Sequence, residues 1–225
     1  METFKYELHL HTVEVSSCGH EKARDIVNFY KEKGYQGMVI TDHFHEKYFR
    51  SLGNMKWEDK IDLYHSGFRE AFDEGEKLGM DIFWGIELRF TDHVNDYLVY
   101  GLDDDFLKSH ENMYEYTLSD FYNIVKDNDH ILIYQAHPYR PGQSRANPAF
   151  LDGMEIYNGH PRHNSRNDKA QAFANKHQLL FLSGSDFHRE GDEASGGIIT
   201  TTRIKSPLEL IHTLKNLNCE SLLAR

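Results

Sequence analysis

The segment Tyr6-Glu7-Leu8-His9-Leu10-His11 sets the pattern for the chain: a short, largely apolar run with imidazoles at its end. Because residues two apart point to the same face of a strand, His9 and His11 converge. Most of the seven later runs are nearly continuous in Ile, Val and Phe, as strands covered on both faces should be. These runs are residues 37–43, 82–90, 97–101, 131–137, 154–158, 179–186 and 198–202.

Segments of helical periodicity separate these runs. One begins at Ala23 and is stopped by Gly34, and another begins with a capping box at Ser206. Similar apolar stripes occupy residues 61–72, before a stop at Gly79, and residues 170–177. Repeated strand–helix units predict an α/β fold with a parallel sheet, either doubly wound or closed as a barrel. We expect the barrel, because of where the polar residues lie.

Composition limits the classes of function. The chain has 225 residues, which suggests one domain over residues 1–225, and a net charge of −11, which argues against an electrostatically held nucleic-acid binder. It has no apolar run near the roughly twenty residues of a membrane span, and its first residues do not form a secretory leader. The two cysteines, Cys18 and Cys219, are far apart, so a reducing cytoplasmic location is expected. The unusual number is 15 histidines.

Metal-ligand side chains lie at or near the carboxyl ends of six runs, the edge where active sites of parallel barrels form. Imidazole and carboxylate without paired thiolates suit Zn²⁺, Mn²⁺ or Fe²⁺. The set is too large for one catalytic ion, so we expect two or three divalent ions, sharing Glu87 or Asp186. The predicted ligands are His9, His11, His43, Glu87, His137, Asp186 and His188.

The motifs HLHT, TDH, GIE, AHP and GSDFH, in that order between Glu7 and about Thr202, resemble those of the PHP (polymerase and histidinol phosphatase) family. The resemblance implies a distorted (β/α)₇ TIM-like barrel with a metal site at its C-terminal mouth. It also implies how the ligands are shared. His9, His11, Glu87 and Asp186 would hold one ion, Glu87 and His137 would serve a second, and His43 and His188 a third. Asp42 would orient a ligand histidine.

Two places depart from the family pattern. The family commonly has an Asp ligand to the third ion just after the first motif, where this chain offers Glu14, Cys18 and His20. A centre built from hard ligands favours Glu14 or His20 over the thiolate. The family also often has a His after the Glu motif. Here His93, Asn95 and Asp96 are the alternatives.

Positive groups should face a phosphate at this mouth. Arg140 and His160 each lie within three residues of a motif strand end, so both are expected to contact the substrate.

The leading hypothesis is a phosphatase that hydrolyses a small phosphomonoester with a metal-bound hydroxide, similar to histidinol phosphatases but with no assigned substrate. One alternative is an exonuclease or nucleotide phosphodiesterase, although the acidic charge leads us not to expect nucleic acid as a partner. Others are a non-catalytic, metal-stabilised docking module and a carbon–nitrogen hydrolase. The sequence leaves the oligomeric state open.

Overall fold

The computed structural model describes residues 2–223, and within them every predicted apolar run contains a strand. The run at residues 37–43 is divided at Thr41 and Asp42 into two strands. The strands are β1 (Phe4–Glu7), β2 (Gly37–Ile40), β3 (His43–Phe44), β4 (Asp81–Arg89), β5 (Asp96–Tyr100), β6 (Leu132–Gln135), β7 (Gly153–Asn158), β8 (Leu180–Gly184) and β9 (Ile198–Thr200).

The sheet curls into a barrel that closes at the mouth. Its strand order is β8-β7-β6-β5-β4-β2-β1-β9, and β3 pairs with the end of β4. Beyond β1 and β8, Leu10 pairs in parallel with Phe187. The His11 amide donates to the Phe187 carbonyl at 3.0 Å, and the Phe187 amide donates to the His9 carbonyl at 3.3 Å. These bonds join the segment after β1 to the segment after β8, at the opposite end of the strand order, so the predicted barrel is confirmed.

Two strands depart from the all-parallel sheet that the sequence predicts. Residues 90–95 alone connect β4 to β5, and parallel neighbours need a crossover of a dozen or more residues. β5 therefore runs antiparallel to both β4 and β6. β9 is likewise antiparallel to β1. As a result, the first residue of β5, Asp96, lies at the same edge as the carboxyl ends of the neighbouring strands.

Each predicted apolar stripe lies in helical structure, with one difference. The apolar stripe at residues 61–72 belongs to two helices that meet at the buried His65. The Ser206 side chain accepts from the Glu209 amide, as the capping pattern predicts. No helix within residues 2–223 has both the length and the hydrophobicity that crossing a membrane requires. The helices are α1 (Ala23–Glu32), α2 (Glu46–Ser51), α3 (Trp57–Tyr64), α4 (Ser66–Leu78), α5 (Asp104–Ser109), α6 (Leu118–Val125), α7 (Asn167–His177) and α8 (Pro207–Lys215). Of these, α2, α5 and α6 are additional to the predicted stripes.

The apolar core lies on both sides of the sheet. One cluster joins side chains of β1, β2, β5, β6 and β8, including Tyr6 and Leu98, and α8 packs on it with Leu214. A second cluster lies between the sheet and α1 and α4, where Ile26 and Ala71 are fully buried. A third, larger cluster includes residues of α3, α5, α6 and α7. Packing on both faces holds the strands, and therefore their carboxyl ends, in fixed positions.

We predict that Gly101→Ala destabilises the fold more than Gly142→Ala. Both glycines have positive φ, +89° and +94°, so the conformational cost of alanine is similar in the two variants. An added Cβ at Gly101 would overlap the carbonyl of His130, whereas nothing lies within 4 Å at Gly142. Urea denaturation should give a free energy of unfolding lower by about 1–3 kcal/mol for Gly101→Ala than for Gly142→Ala. Equal losses would contradict the close packing of this turn.

Candidate metal centre

A buried carboxylate lies at the centre of the barrel mouth. Glu87, in β4, is fully buried, and each of its oxygens faces two imidazoles. Oε1 lies 3.0 Å from Nε2 of His137 and 3.3 Å from Nε2 of His9. Oε2 lies 2.8 Å from Nδ1 of His43 and 3.3 Å from Nε2 of His11. The two oxygens thus face different imidazole pairs, which is the arrangement that a bridging ligand requires.

Asp186 forms the second acidic element of the cluster. Its Oδ1 lies 3.4 Å from Nε2 of both His9 and His11. Its Oδ2 accepts from Arg140 and from the Asn158 amide, the latter at 3.3 Å. Asp186 has a φ of +54°, a left-handed conformation that costs about 1–3 kcal/mol for a residue with a side chain. Its surroundings therefore hold the carboxylate in a specific orientation.

The donor set fits divalent metal ions. Glu87 Oε2 and His43 Nδ1 are buried and, despite their 2.8 Å separation, are not aligned for a hydrogen bond and have no other partner in the described part of the chain. Since an unpaired buried polar atom is costly, these atoms point to a shared ligand. Imidazole nitrogens and carboxylate oxygens in this mixture suit Zn²⁺, Mn²⁺ or Fe²⁺. Groups with ligand atoms within 4.8 Å of one another are His11-His43-His188, His9-His137-Asp186, His9-His11-Glu87, His160-Asp186-His188 and His43-Glu87-Asp96.

The pKa shifts show how strongly the charges in the cluster interact. Burial opposes ionisation of Glu87, but the imidazoles of His43 and His9 outweigh it and hold the pKa of Glu87 well below its usual range. Burial also opposes protonation of His9, but the carboxylates of Glu155, Asp186 and Glu87 raise its pKa well above the ordinary value. The buried acids therefore need positive charge nearby. Divalent ions supply that charge when they replace the imidazole protons.

Glu155 is a functional residue that the sequence reasoning missed. Its Oε1 accepts from Nδ1 of His9 at 2.9 Å, and its Oε2 accepts from the His137 amide at 2.8 Å and from Asn158 at 3.0 Å. The bond to Nδ1 leaves Nε2 of His9 free to face Glu87, which is how a supporting carboxylate orients a ligand histidine. The available signal was a carboxylate inside the apolar segment of β7, where an unpaired charge would be costly.

Asp42 contacts the cluster through an intermediate. Its carboxylate accepts from the Thr12 amide, the Thr12 hydroxyl and the Ser16 hydroxyl, all at 2.7 Å. The Ser16 hydroxyl lies 3.4 Å from Nδ1 of His11. Burial raises the pKa of Asp42 to about 6, while the bonds from Ser16 and Thr12 lower it. The predicted role of orienting a histidine therefore points to His11.

The turn after β1 places the three alternative ligands of the expected third ion, Glu14, Cys18 and His20, in different surroundings. The Glu14 carboxylate accepts from the Ala23 amide at 3.1–3.2 Å and so caps α1, and the His20 side chain is exposed. Of the three, Cys18 is the one whose side chain interacts with His43 and His188. Burial raises the pKa of this thiol, but the two imidazoles lower it to about 6. The turn therefore directs Glu14, one of the two expected ligands, towards the helix end and leaves His20, the other, exposed.

Asp96 is the nearest to the cluster of the three alternatives after the Glu motif. Its carboxylate accepts from Arg89 at 2.6 and 2.7 Å, and its Oδ2 lies 3.8 Å from Nε2 of His137. The Asn95 side chain instead accepts from the Ser144 amide, and His93 is exposed.

A small cavity of about 250 Å³ opens above the cluster. Arg140 reaches into the mouth, bonded to Asp186 and lying 3.4 Å from the amide oxygen of Asn158. Burial lowers the pKa of His160 to about 4, so this imidazole is neutral at pH 7 and does not supply the expected positive charge. The cavity is lined by Cys18, His20, Arg140, His160, Arg162, His163, His188 and Arg189.

The comparison with protein families agrees with this geometry. A sequence model of the PHP domain matches residues 7–193, which is most of the chain. The chain belongs to the PHP domain family. The resemblance drawn from the five motifs is thereby confirmed. No curated protein sequence matches this PHP domain.

Solved structures support the same fold. A two-domain protein from Bacteroides vulgatus that contains a predicted PHP-like metal-dependent phosphoesterase aligns with a TM-score of 0.66 and 17% identity. PsfC from Pseudomonas syringae aligns with a TM-score of 0.66 and 15% identity, covering 94% of this chain and 88% of PsfC. The lesion-specific endonuclease PfuEndoQ from Pyrococcus furiosus aligns with a TM-score of 0.62 and 16% identity. The alignment with the Bacteroides vulgatus protein covers 96% of this chain but only 63% of that protein. The alignment with PfuEndoQ covers 97% of this chain but only 57% of the endonuclease.

We predict that Glu155→Gln weakens metal binding without unfolding the barrel. The amide keeps the size of the side chain but loses the charge that fixes His9, so affinity should fall about 10- to 100-fold. Competition with a chromogenic chelator measures the change. Asp152→Asn is the matched control, because the Asp152 carboxylate accepts from the Ile133 amide and is not among the groups of candidate ligands. Equal affinities in the two variants would contradict the role of Glu155.

Proposed function

We propose that this PHP domain is a metal-dependent phosphoesterase that hydrolyses a small phosphomonoester. The observation that carries the proposal is the cluster around Glu87, in which buried imidazoles and carboxylates converge beneath an arginine-lined cavity. Membership of the PHP domain family supports hydrolase activity.

The proposed ligand assignment follows the family motifs. His9, His11, Glu87 and Asp186 would hold one ion, Glu87 and His137 would serve a second, and His43 and His188 would hold a third. Two or three ions of Zn²⁺, Mn²⁺ or Fe²⁺ held there would neutralise phosphoryl charge and activate water.

The chain's own residues bind and orient the substrate. Arg140 projects five N–H donors in a planar fork that matches the oxygens of a phosphate, and its Nε has no partner among the described residues. Asn158 donates to Asp186 and so helps to hold that carboxylate in place. His160 is neutral at pH 7 and adds a hydrogen-bonding group without adding charge. Asp42 and Glu155 act by positioning His11 and His9.

The size of the cavity favours a small substrate. Its volume of about 250 Å³ is below the roughly 300–1,000 Å³ of pockets that enclose drug-sized ligands. A phosphoryl group with a compact alcohol fits such a space. A long polymer would have to lie outside it.

We predict that His9→Ala and His11→Ala each abolish hydrolysis of p-nitrophenyl phosphate while the far-ultraviolet circular dichroism stays native. Each change removes an imidazole that faces both Glu87 and Asp186. Chelation of the wild-type protein should have the same effect, and added metal should reverse it. His212→Ala, on the exposed face of α8, is the control and should keep its turnover. Turnover retained in a folded His9→Ala protein would refute the proposed centre.

A nucleotide phosphodiesterase is the second candidate, because one structural neighbour is an endonuclease and the cavity is lined by Arg140, Arg162 and Arg189. Against it, the net charge of −11 repels a polyanion, and Arg162 is paired with Asp192.

We predict that metal-loaded protein releases phosphate from a mononucleotide much faster than it shortens an end-labelled single strand of DNA. The His9→Ala variant serves as the blank for both assays. Faster cleavage of the strand would replace the phosphomonoesterase proposal with a nuclease, and inertness towards a broad phosphoester panel would favour a non-catalytic docking module.

A further inference from the structure

The turn between β1 and α1 delivers a cysteine into the metal centre. The Ser16 amide donates to the Thr12 carbonyl, and the Gly19 amide donates to the Ser16 carbonyl, both at 2.9 Å. The next amide, of His20, donates to the carbonyl of His188 at 2.8 Å. These bonds fasten the turn to the chain just beyond β8. Cys18 lies between the two fastened positions.

The turn has little room to move. An added Cβ at Gly19 would lie 2.8 Å from the carbonyl carbon and oxygen of Thr12, so the backbone is in close contact across the turn. The position of Cys18 is therefore fixed by its neighbours as well as by hydrogen bonds.

The Cys18 side chain faces imidazoles. Its thiol interacts with the side chains of both His43 and His188. Nitrogen atoms of these two histidines and of His11 lie within 4.8 Å of one another. Cys18 also lines the mouth cavity, so the group is open to solvent ions.

An independent observation shows that this group points to a ligand. The Glu87 carboxylate is fully buried, and its Oε2 has no hydrogen-bond partner in the described residues, although it lies 2.8 Å from Nδ1 of His43. Within residues 2–223, Nδ1 of His43 has no hydrogen-bond partner either. A cation beside His43 would satisfy both atoms.

We propose that Cys18 is a thiolate ligand of a metal ion held by His43 and His188. The inference rests on the proposed metal centre and names one more of its ligands. When the ion binds, the S–H proton passes to solvent and the sulfur lone pair forms the bond to the metal, so no oxidant or reductant is needed. Of the other two candidates, Glu14 is engaged at the end of α1, and the His20 side chain is exposed at the rim of the cavity.

A sulfur ligand changes which ion this position prefers. Thiolate with two imidazoles favours Zn²⁺ or Co²⁺, whereas the carboxylate-rich positions around Glu87 and Asp186 also accept Mn²⁺ and Fe²⁺. The centre would then discriminate between its positions and can hold zinc beside a different ion.

Cobalt substitution tests the proposal without measuring activity. Protein titrated with Co²⁺ should develop the near-ultraviolet absorption of a sulfur-to-cobalt charge transfer. Cys18→Ser should lack this band and bind one ion fewer by elemental analysis. Cys219→Ser, which removes the other cysteine of the chain, is the matched control and should keep the band. Cys18→Asp should recover the ion count without the band, and should take up Mn²⁺ at this position more readily than wild type.

A second readout uses the wild-type protein alone. Bound Zn²⁺ should protect Cys18 from alkylation by N-ethylmaleimide, and chelation should expose it, as measured on the tryptic peptides. Wild-type protein that binds metal and hydrolyses phosphoesters without the cobalt band or the protection would overturn the thiolate ligand alone. Protein that binds no divalent ion would refute the proposed function as well. A band that persists in folded Cys18→Ser would also overturn the assignment.

Discussion

The pairing of Leu10 with Phe187 is the constraint on which both the barrel and its site depend. Two hydrogen bonds close the sheet: the Phe187 amide donates to the His9 carbonyl, and the His11 amide donates to the Phe187 carbonyl. Phe187 lies between Asp186 and His188, so the bonds of closure also set the distance between the candidate ligands that follow β1 and those that follow β8. A one-residue slip would turn every one of these side chains to the other face. Fold and site are therefore specified by the same contacts.

Charge is the second constraint. Glu87, Asp186, Glu155 and Asp42 are all buried near one another at the mouth, and a buried carboxylate persists only when it is paired or hydrogen-bonded. Asp42 and Glu155 satisfy this with backbone amides, side-chain donors and, for Glu155, the ring N–H of His9. Glu87 has no such donors on Oε2. Of these four acids, Glu155 and Asp42 are thus hydrogen-bonded so as to position histidines, whereas Glu87 and Asp186 face the imidazole cluster, where Arg140 also reaches Asp186.

The sequence predicted the strands and most of the cluster because a ligand at a strand end is a local pattern. It failed where position depends on topology. Because ligands were expected at the carboxyl ends of strands, Asp96 was not favoured over His93 or Asn95. Asp96 lies at the mouth because β5 runs antiparallel to β4. Glu155 lies within a strand, and its role depends on His9, which is distant in the chain. The preference of hard metal ions for carboxylates favoured Glu14 over Cys18 as a ligand. In the structure, however, the Glu14 carboxylate accepts from the Ala23 amide at the start of α1. The stripe at residues 61–72 is divided at His65, whose imidazole lies 2.6 Å from the Asp104 carboxylate, a distant contact that periodicity does not report.

The acidity of the chain and the basic lining of its mouth act over different distances. A net charge of −11 repels an approaching polyanion, because each phosphate of the polyanion interacts with the acidic surface of the protein. A small phosphomonoester carries little charge, and ions of the medium screen the surface beyond about 8–10 Å. Inside the cavity, the proposed substrate would meet Arg140 and the proposed cationic centre at short range, with much less screening. An acidic surface around such a mouth would favour a small anion over a large one, in line with the proposed phosphomonoester and a cavity of about 250 Å³.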